Sequence, residues 1–297
     1  MSRLQANLVL VVVAMVWGSG FVVQQVGTGE LGTISFTGIR FLLGAVVISP
    51  LAFCQYCQGM KEGREITFFH WFFMFFVGGI LFTAAALQQY GIFHTTVTNS
   101  GFLTGLYVPL VPLLSLLLFR SRVHISVWPA SLLCFLGIWL LSGAQHQALA
   151  EGDWWVMASS VFWALHVIVV GAAAQRTRMP LVVAAVQFTV CGILGLVFGV
   201  VVEGVEPSHF TAAWKGICYS GVLSVGVAFT LQVVGQRYTP AADAAIILSS
   251  ESVFASLGGI IFLGERLSPV QITGAALIFF SILAVEVLPL IGRRLGK

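Results

Sequence analysis

Ten apolar stretches alternate with short polar loops along the chain, at 6–26, 34–54, 68–90, 97–119, 124–143, 153–172, 180–203, 212–236, 240–263 and 268–290. About 20 apolar residues in helical form span the ~30 Å hydrocarbon core of a bilayer. Each stretch therefore predicts a transmembrane helix. The first follows Arg3 and has the look of a signal peptide. It is too long for an h-region, has no A-x-A-like exit and runs directly into further spans, so it reads as the first helix.

A repeat underlies the series. Displacing the chain by 144 positions lays 86–142 on 230–286 without a gap. Nine of those 57 pairs are identical, which apolar composition alone nearly supplies. The polar coincidences say more: Gln88 meets Gln232, Gly91 meets Gly235, Thr95 meets Thr239, Asn99 meets Asp243 and Arg122 meets Arg266. Upstream, Trp17 meets Trp163, and Arg40-Phe41 meets Gln187-Phe188. Five spans per copy is an odd number, so the second copy inserts upside down. The expected fold is an all-α integral membrane protein of ten transmembrane helices, built as two inverted five-helix repeats at 1–147 and 148–297. Such repeats place a binding site near the midplane, at the interface between halves.

Composition agrees, at 58% hydrophobic and 8% charged residues with a mean hydropathy of +0.99. Soluble domains average about 25% charged residues. The net charge of +3 reports orientation rather than nucleic-acid binding. With the N-terminus inside, Arg3, Lys61, Arg64, Arg120, Arg122, Arg176, Arg178, Arg237, Arg293, Arg294 and Lys297 fall on the cytoplasmic side. Lys215 and Arg266 remain outside, and Arg40 lies within a span. That bias puts both termini in the cytoplasm. Trp71 and Trp128 anchor inner ends; Trp154, Trp155 and Trp214 anchor outer ends.

Several chemistries find no support. Cys54 and Cys57 form a C-x-x-C, but no second ligand pair accompanies it, so no metal is called. No G-x-x-x-x-G-K-[ST] loop is present for ATP, and no cofactor is implied. An intramembrane lipid enzyme would need a nucleophile–base cluster or paired metal ligands at one depth. The chain has no H-E-x-x-H and no G-x-S-x-G, only scattered histidines. A sensor or scaffold that moves nothing is a third reading, separable by flux measurements.

Several motifs together resemble EamA-type carriers of the drug/metabolite transporter superfamily. They are VWGSGFV at 16–22, IRFLLGA at 39–45, SGFLTGLYVPLVPLL at 100–114, AFTLQVVGQRYTP at 228–240 and AAIILSSESVFASLGGIIFLGERLSPVQITGAALI at 244–278. The resemblance implies a ten-helix inverted-repeat carrier around a central cavity, exporting small metabolites such as amino acids. Many of these carriers have a Glu-Pro pair in span nine, where this chain has Glu251-Ser252. Proline would remove a backbone hydrogen bond and kink the helix there. Here Ser252 would have to perturb the ladder instead.

Glu251 is the leading candidate for coupling or substrate contact. It lies eleven residues into its span, about 16 Å along by helical rise. Intramembrane acids mark pathways unless locked into a structural pair. Arg40 either snorkels outward or binds a substrate carboxylate with its planar fork. Trp17 and Trp163 are central rather than interfacial, where they line a cavity or pack the seam. Tyr107 occupies the slot matching Glu251. Gln88 and Gln232 glue helices or line the cavity mouths, and His166 stands one turn beyond Trp163. Gly101-x-x-x-Gly105 and Gly195-x-x-x-Gly199 predict close helix packing. The expected partners are a small-molecule substrate and the lipid bilayer, with protons as a candidate coupling ion. The expected location is a bacterial inner membrane. Nothing in the sequence speaks to oligomeric state.

Overall fold

The computed structural model describes residues 1–26, 31–95, 97–121, 123–144, 149–204, 207–263 and 266–295. Arg122 and Lys297, used above for orientation and repeat, lie outside the described residues, as do the side chains of Arg293 and Arg294. Every element among the described residues is helical. In order they are α1 (Arg3–Val26), α2 (Thr33–Lys61), α3 (Phe68–Phe93), α4 (Val97–Thr104), α5 (Tyr107–Leu117), α6 (Val127–Leu141), α7 (Glu151–Thr177) and α8 (Pro180–Val202). Then follow α9 (Pro207–Cys218), a π-helical stretch (Tyr219–Phe229), α10 (Thr230–Gln236), α11 (Ala241–Leu248), α12 (Glu251–Leu263) and α13 (Pro269–Leu295).

Seven helical segments have the length and hydropathy of a membrane crossing, and α6 and Pro269–Val285 are shorter apolar helices. Three predicted spans are not single helices. Stretch 97–119 divides into α4 and α5, and 240–263 into α11 and α12. Stretch 212–236 passes from α9 through the π-helical turns into α10.

The two breaks are built alike. Leu106 N donates to Leu103 O and Val108 N to Gly105 O, at 3.2 and 3.0 Å. Exactly 144 positions on, Ser250 N donates to Ile247 O and Ser252 N to Ser249 O, both at 3.2 Å. These tight i−3 turns replace the i−4 ladder and let the axis change direction. Pro109 and Pro112 follow the first break. No proline marks the second, yet the interruption is there. Ser249 Oγ donates to Ile246 O at 2.6 Å, the carbonyl that Ser250 N bypasses, and Ser250 Oγ adds a second bond to Ile247 O at 2.7 Å.

The antiparallel pair α2 and α8 shows the same reciprocity. At the start of α2, the Glu203 carboxylate accepts from Ile34 N at 2.8 Å, Ser35 N at 2.9 Å and the hydroxyls of Thr33 and Ser35. At the start of α8, Gln55 Oε1 accepts from Leu181 N at 2.8 Å and Val182 N at 3.4 Å. Each helix thus caps the free N–H groups of the other's first turn. Between the caps the backbones nearly touch: a Cβ on Gly195 would lie 2.5 Å from Gly38 Cα, and one on Gly199 2.9 Å from Ser35 Cα. The packing role expected for Gly195 and Gly199 fits that geometry. For Gly101 it does not, since an added Cβ there meets nothing within 4 Å.

Large apolar side chains also cover the outer surface. Phe68, Phe69, Phe72, Phe75 and Phe76 are exposed along one side of α3.

A polar cavity between broken helices

Both breaks open onto one space. Tyr107 is the first residue of α5 and Glu251 the first of α12, so each side chain emerges where its helix restarts. Around them stand Trp17 and Gln24 of α1, Arg40 of α2, Gln88 of α3 and Thr104 of α4. Trp163 and Val167 of α7, Ser224 and Phe229 of the π-helical stretch, Gln232 of α10 and Leu248 of α11 complete the wall. The cavity volume is about 50 Å³, so a metabolite-sized guest enters only as the surrounding helices move apart.

α1 reaches this depth because Gly18 allows it. A Cβ there would lie 2.6 Å from Glu251 O and 2.8 Å from Ala255 N. The first glycine of the VWGSGFV stretch thus lets α1 cross α12 at backbone contact, which brings Trp17 beside the Glu251 break.

The hydrogen bonding of the wall is incomplete. Glu251 is 7% exposed, and its carboxylate has no hydrogen-bond or ion-pair partner among the described residues. It is not a structural acid locked to Arg40 or to hydroxyls. Arg40, 3% exposed, does not snorkel outward. Its Nη1 donates to Gln24 Oε1 at 2.9 Å, its guanidinium lies 5.7 and 5.1 Å from the ring centres of Phe36 and Phe41, and its buried Nε has no partner. The buried indole nitrogens of Trp17 and Trp163 and Gln232 Oε1 also lack partners. Tyr107 donates to Ala245 O at 3.3 Å, and Gln88 Nε2 to Thr104 Oγ1 at 2.9 Å. Unpaired buried charge costs several kcal/mol. The cavity is therefore primed for a polar guest.

One end is aromatic. Phe229 packs against Trp17, Phe41, Trp163 and Phe188, with ring centres 4.5, 5.5, 5.8 and 6.3 Å away.

Of the residues singled out from sequence, Trp17, Arg40, Gln88, Tyr107, Trp163, Gln232 and Glu251 come together here. His166 does not. It is fully buried behind Trp163, with its Nε2 2.9 Å from Gln187 Oε1. Gln24, Thr104, Ser224, Phe229, Val167 and Leu248 were not foreseen. Gln24 and Thr104 carried a weak signal, as polar residues inside apolar runs. The other four look like any core position until the helices are folded.

Residues 4–143 and again 150–286 match the model of the EamA-like transporter family. The chain belongs to this family. As an EamA-like protein it is a multi-pass membrane protein whose cargo is a small molecule. An uncharacterized transporter of Archaeoglobus fulgidus is 30% identical over 286 residues, covering 96% of this chain and 86% of its own. The uncharacterized transporter YwfM of Bacillus subtilis is 23% identical over 95% of this chain and 94% of its own. The threonine/homoserine exporter RhtA of Escherichia coli is 26% identical over 164 residues, 54% of each chain. One crystal structure of a protein 20% identical superposes over the whole of both chains with a TM-score of 0.76, which is a likeness of fold.

Proposed function

We propose that this EamA-like protein is a secondary carrier that exports a small zwitterionic metabolite, an amino acid or a similar molecule, by alternating access. The observation that carries this reading is the presence of both Glu251 and Arg40 on the wall of one cavity, the first unpartnered among the described residues and the second only partly satisfied. A guest bearing an ammonium and a carboxylate completes both. A simple amine would leave Arg40 short of an acceptor, and a simple anion would leave Glu251 unpaired. Trp17, Phe229, Val167 and Leu248 offer apolar wall for the guest's side chain. The name of the RhtA relative points to the same class of cargo.

In this reading α4–α5 and α11–α12 are single broken crossings, which brings the total to ten. Residues 1–147 and 148–297 are the inverted repeats. The double family match, the equivalent breaks and the reciprocal caps support that division. The distribution of Lys and Arg supports a bacterial inner membrane with both termini cytoplasmic. When the cavity is empty of cargo, a proton is the natural partner for Glu251, which makes protons the candidate coupling ion.

Counterflow in proteoliposomes tests the reading, with cargo first identified by thermal stabilisation against amino acids. Glu251→Gln is expected to abolish pH-driven uptake. Unchanged flux with unchanged pH dependence in that variant sinks the coupling role. Arg40→Gln is expected to weaken amino acids more than the corresponding amines, which lack the carboxylate. Equal weakening of both would remove the two-charge reading.

A further inference from the structure

Two hydrogen bonds well away from the cavity repeat one another. At the α10–α11 corner, Thr239 Oγ1 donates to Asn7 Oδ1 at 2.6 Å. At the α3–α4 corner, Thr95 Oγ1 donates to Asp153 Oδ1 at 2.5 Å. The two threonines stand 144 positions apart (239 − 95) and their acceptors 146 (153 − 7), matching the repeat. Asn7 precedes Trp17 by ten residues, and Asp153 precedes Trp163 by ten. Each bond therefore sits about 15 Å of helix from the cavity tryptophan on the same helix. Each also joins one half of the chain to the other, and its chain position puts it at the opposite end of the bundle from its twin.

The surroundings differ. Beside the Asn7 bond, Arg3 Nη2 pairs with Asp243 Oδ2 at 2.6 Å, a second tie between α1 and α11. Beside the Asp153 bond, Ala150 N donates to Asp153 Oδ2 at 2.8 Å within the start of α7 and Gly152 N to His94 O at 3.3 Å across to the corner, and no ion pair joins them among the described residues. Thr239, Asn7 and Asp153 are buried and Thr95 is half-buried, so the first contact is closed to solvent and the second largely so.

We propose that these two layers are the gates of the carrier, and that the ion pair makes them unequal. A path from one face to the cavity needs α1 to leave the α10–α11 corner. A path from the other needs α7 to leave the α3–α4 corner. In both cases the threonine and its acceptor exchange each other for water. The α1 gate must break an ion pair as well, so the carrier without cargo rests with that gate shut and opens more often on the α7 side. By loop charge the α1 gate faces the cytoplasm, and the resting exporter then faces outward. The proposal rests on the carrier reading above, and its test does not need the cargo.

Ser224→Cys, in a chain freed of its five native cysteines, reports access to the cavity through labelling by a membrane-impermeant maleimide. The reagent is applied from one side and then from the other of oriented vesicles. Asn7→Cys with Thr239→Cys, or Thr95→Cys with Asp153→Cys, is bridged by a short bifunctional thiosulfonate before labelling, and intact mass reports the bridge. Bridging 7 to 239 is expected to remove labelling from the N-terminal face only, and bridging 95 to 153 from the opposite face only. Without bridges, labelling is expected to be faster from the α7 side, and Asp243→Asn to narrow or reverse that preference. Labelling from both faces despite a complete bridge overturns the gate assignment. A preference indifferent to Asp243→Asn overturns the inequality. Where cargo is known, either bridge should reduce flux to that of empty liposomes, and reduction should restore it. A bridged carrier that transports normally also overturns the gates, whereas an unbridged chain that carries nothing tells against the carrier reading alone.

Discussion

Glu251 takes its character from where its helix begins. As the first residue of α12 it stands where the helix restarts, with no side-chain partner among the described residues to hold it. Arg40 is held differently, by one hydrogen bond to Gln24 and by two phenylalanine rings. Gln24 is thus a positioning residue for the guanidinium. Gln24→Leu should leave the fold intact but weaken cargo binding several-fold, in the direction of Arg40→Gln though less severely. Isothermal titration with cargo checks this, and an unchanged dissociation constant would mean that the rings alone fix Arg40. Gly18 makes a harder demand, because the atoms in its way are main chain. Gly18→Ala forces α1 and α12 apart or strains both, and overpacking of this kind costs about 1–3 kcal/mol. A lower melting temperature together with lost flux is the expected outcome. A variant as stable and active as the parent would show that the crossing is looser than its geometry.

Helix by helix, the sequence pattern marked where apolar runs begin and end but not how they are interrupted. Hydropathy is blind to a change from i−4 to i−3 bonding, so α11–α12 read as one greasy run with an acid in it. The missing proline in Glu251-Ser252 made a bend less expected, whereas Ser249 and Ser250 supply it through their hydroxyls. The caps between α2 and α8 were also invisible. Gln55 and Glu203 fall at the ends of their spans, where polar residues are commonplace, and only the fold shows that each serves its partner's first turn. Their unequal chemistry gives a prediction. Glu203 accepts four hydrogen bonds as a carboxylate and Gln55 two as a neutral amide. Loss of a helix N-terminal cap costs about 0.5–2 kcal/mol. Glu203→Ala should therefore lower thermal stability in detergent more than Gln55→Ala. The reverse order would place the stronger seam at the other end of the pair.

For the molecule as a whole, a displacement of 144 residues was readable because Gln88, Thr95 and their partners survive in both copies. What the displacement means physically appears only in the folded chain, where equivalent residues make equivalent contacts at opposite ends. The site was legible in proportion to its polarity. Glu251, Arg40 and the glutamines stood out against an apolar background, whereas Phe229 and Leu248 did not, since a cavity-facing apolar side chain has no mark in one dimension. The charge pattern leads to a last prediction. Arg64 donates to Arg178 O, and Arg3 reaches Asp243, so basic residues from distant loops gather with one another's segments as a single orientation requires. Lys215, beside Trp214, belongs to α9 and stands apart from them. In cells, Lys215→Cys should react with an impermeant maleimide from outside, and Arg176→Cys only after the membrane is opened. Labelling of both in intact cells would mean dual insertion, in which case each gate would face both compartments across the population. Single orientation does not by itself dictate export. Alternating access runs both ways, so with cargo on both sides the liposomal protein should exchange it in either direction, and net flux should follow the imposed gradient. A carrier that moved cargo one way regardless of gradient would need an energy source beyond the gradients on which a secondary carrier runs.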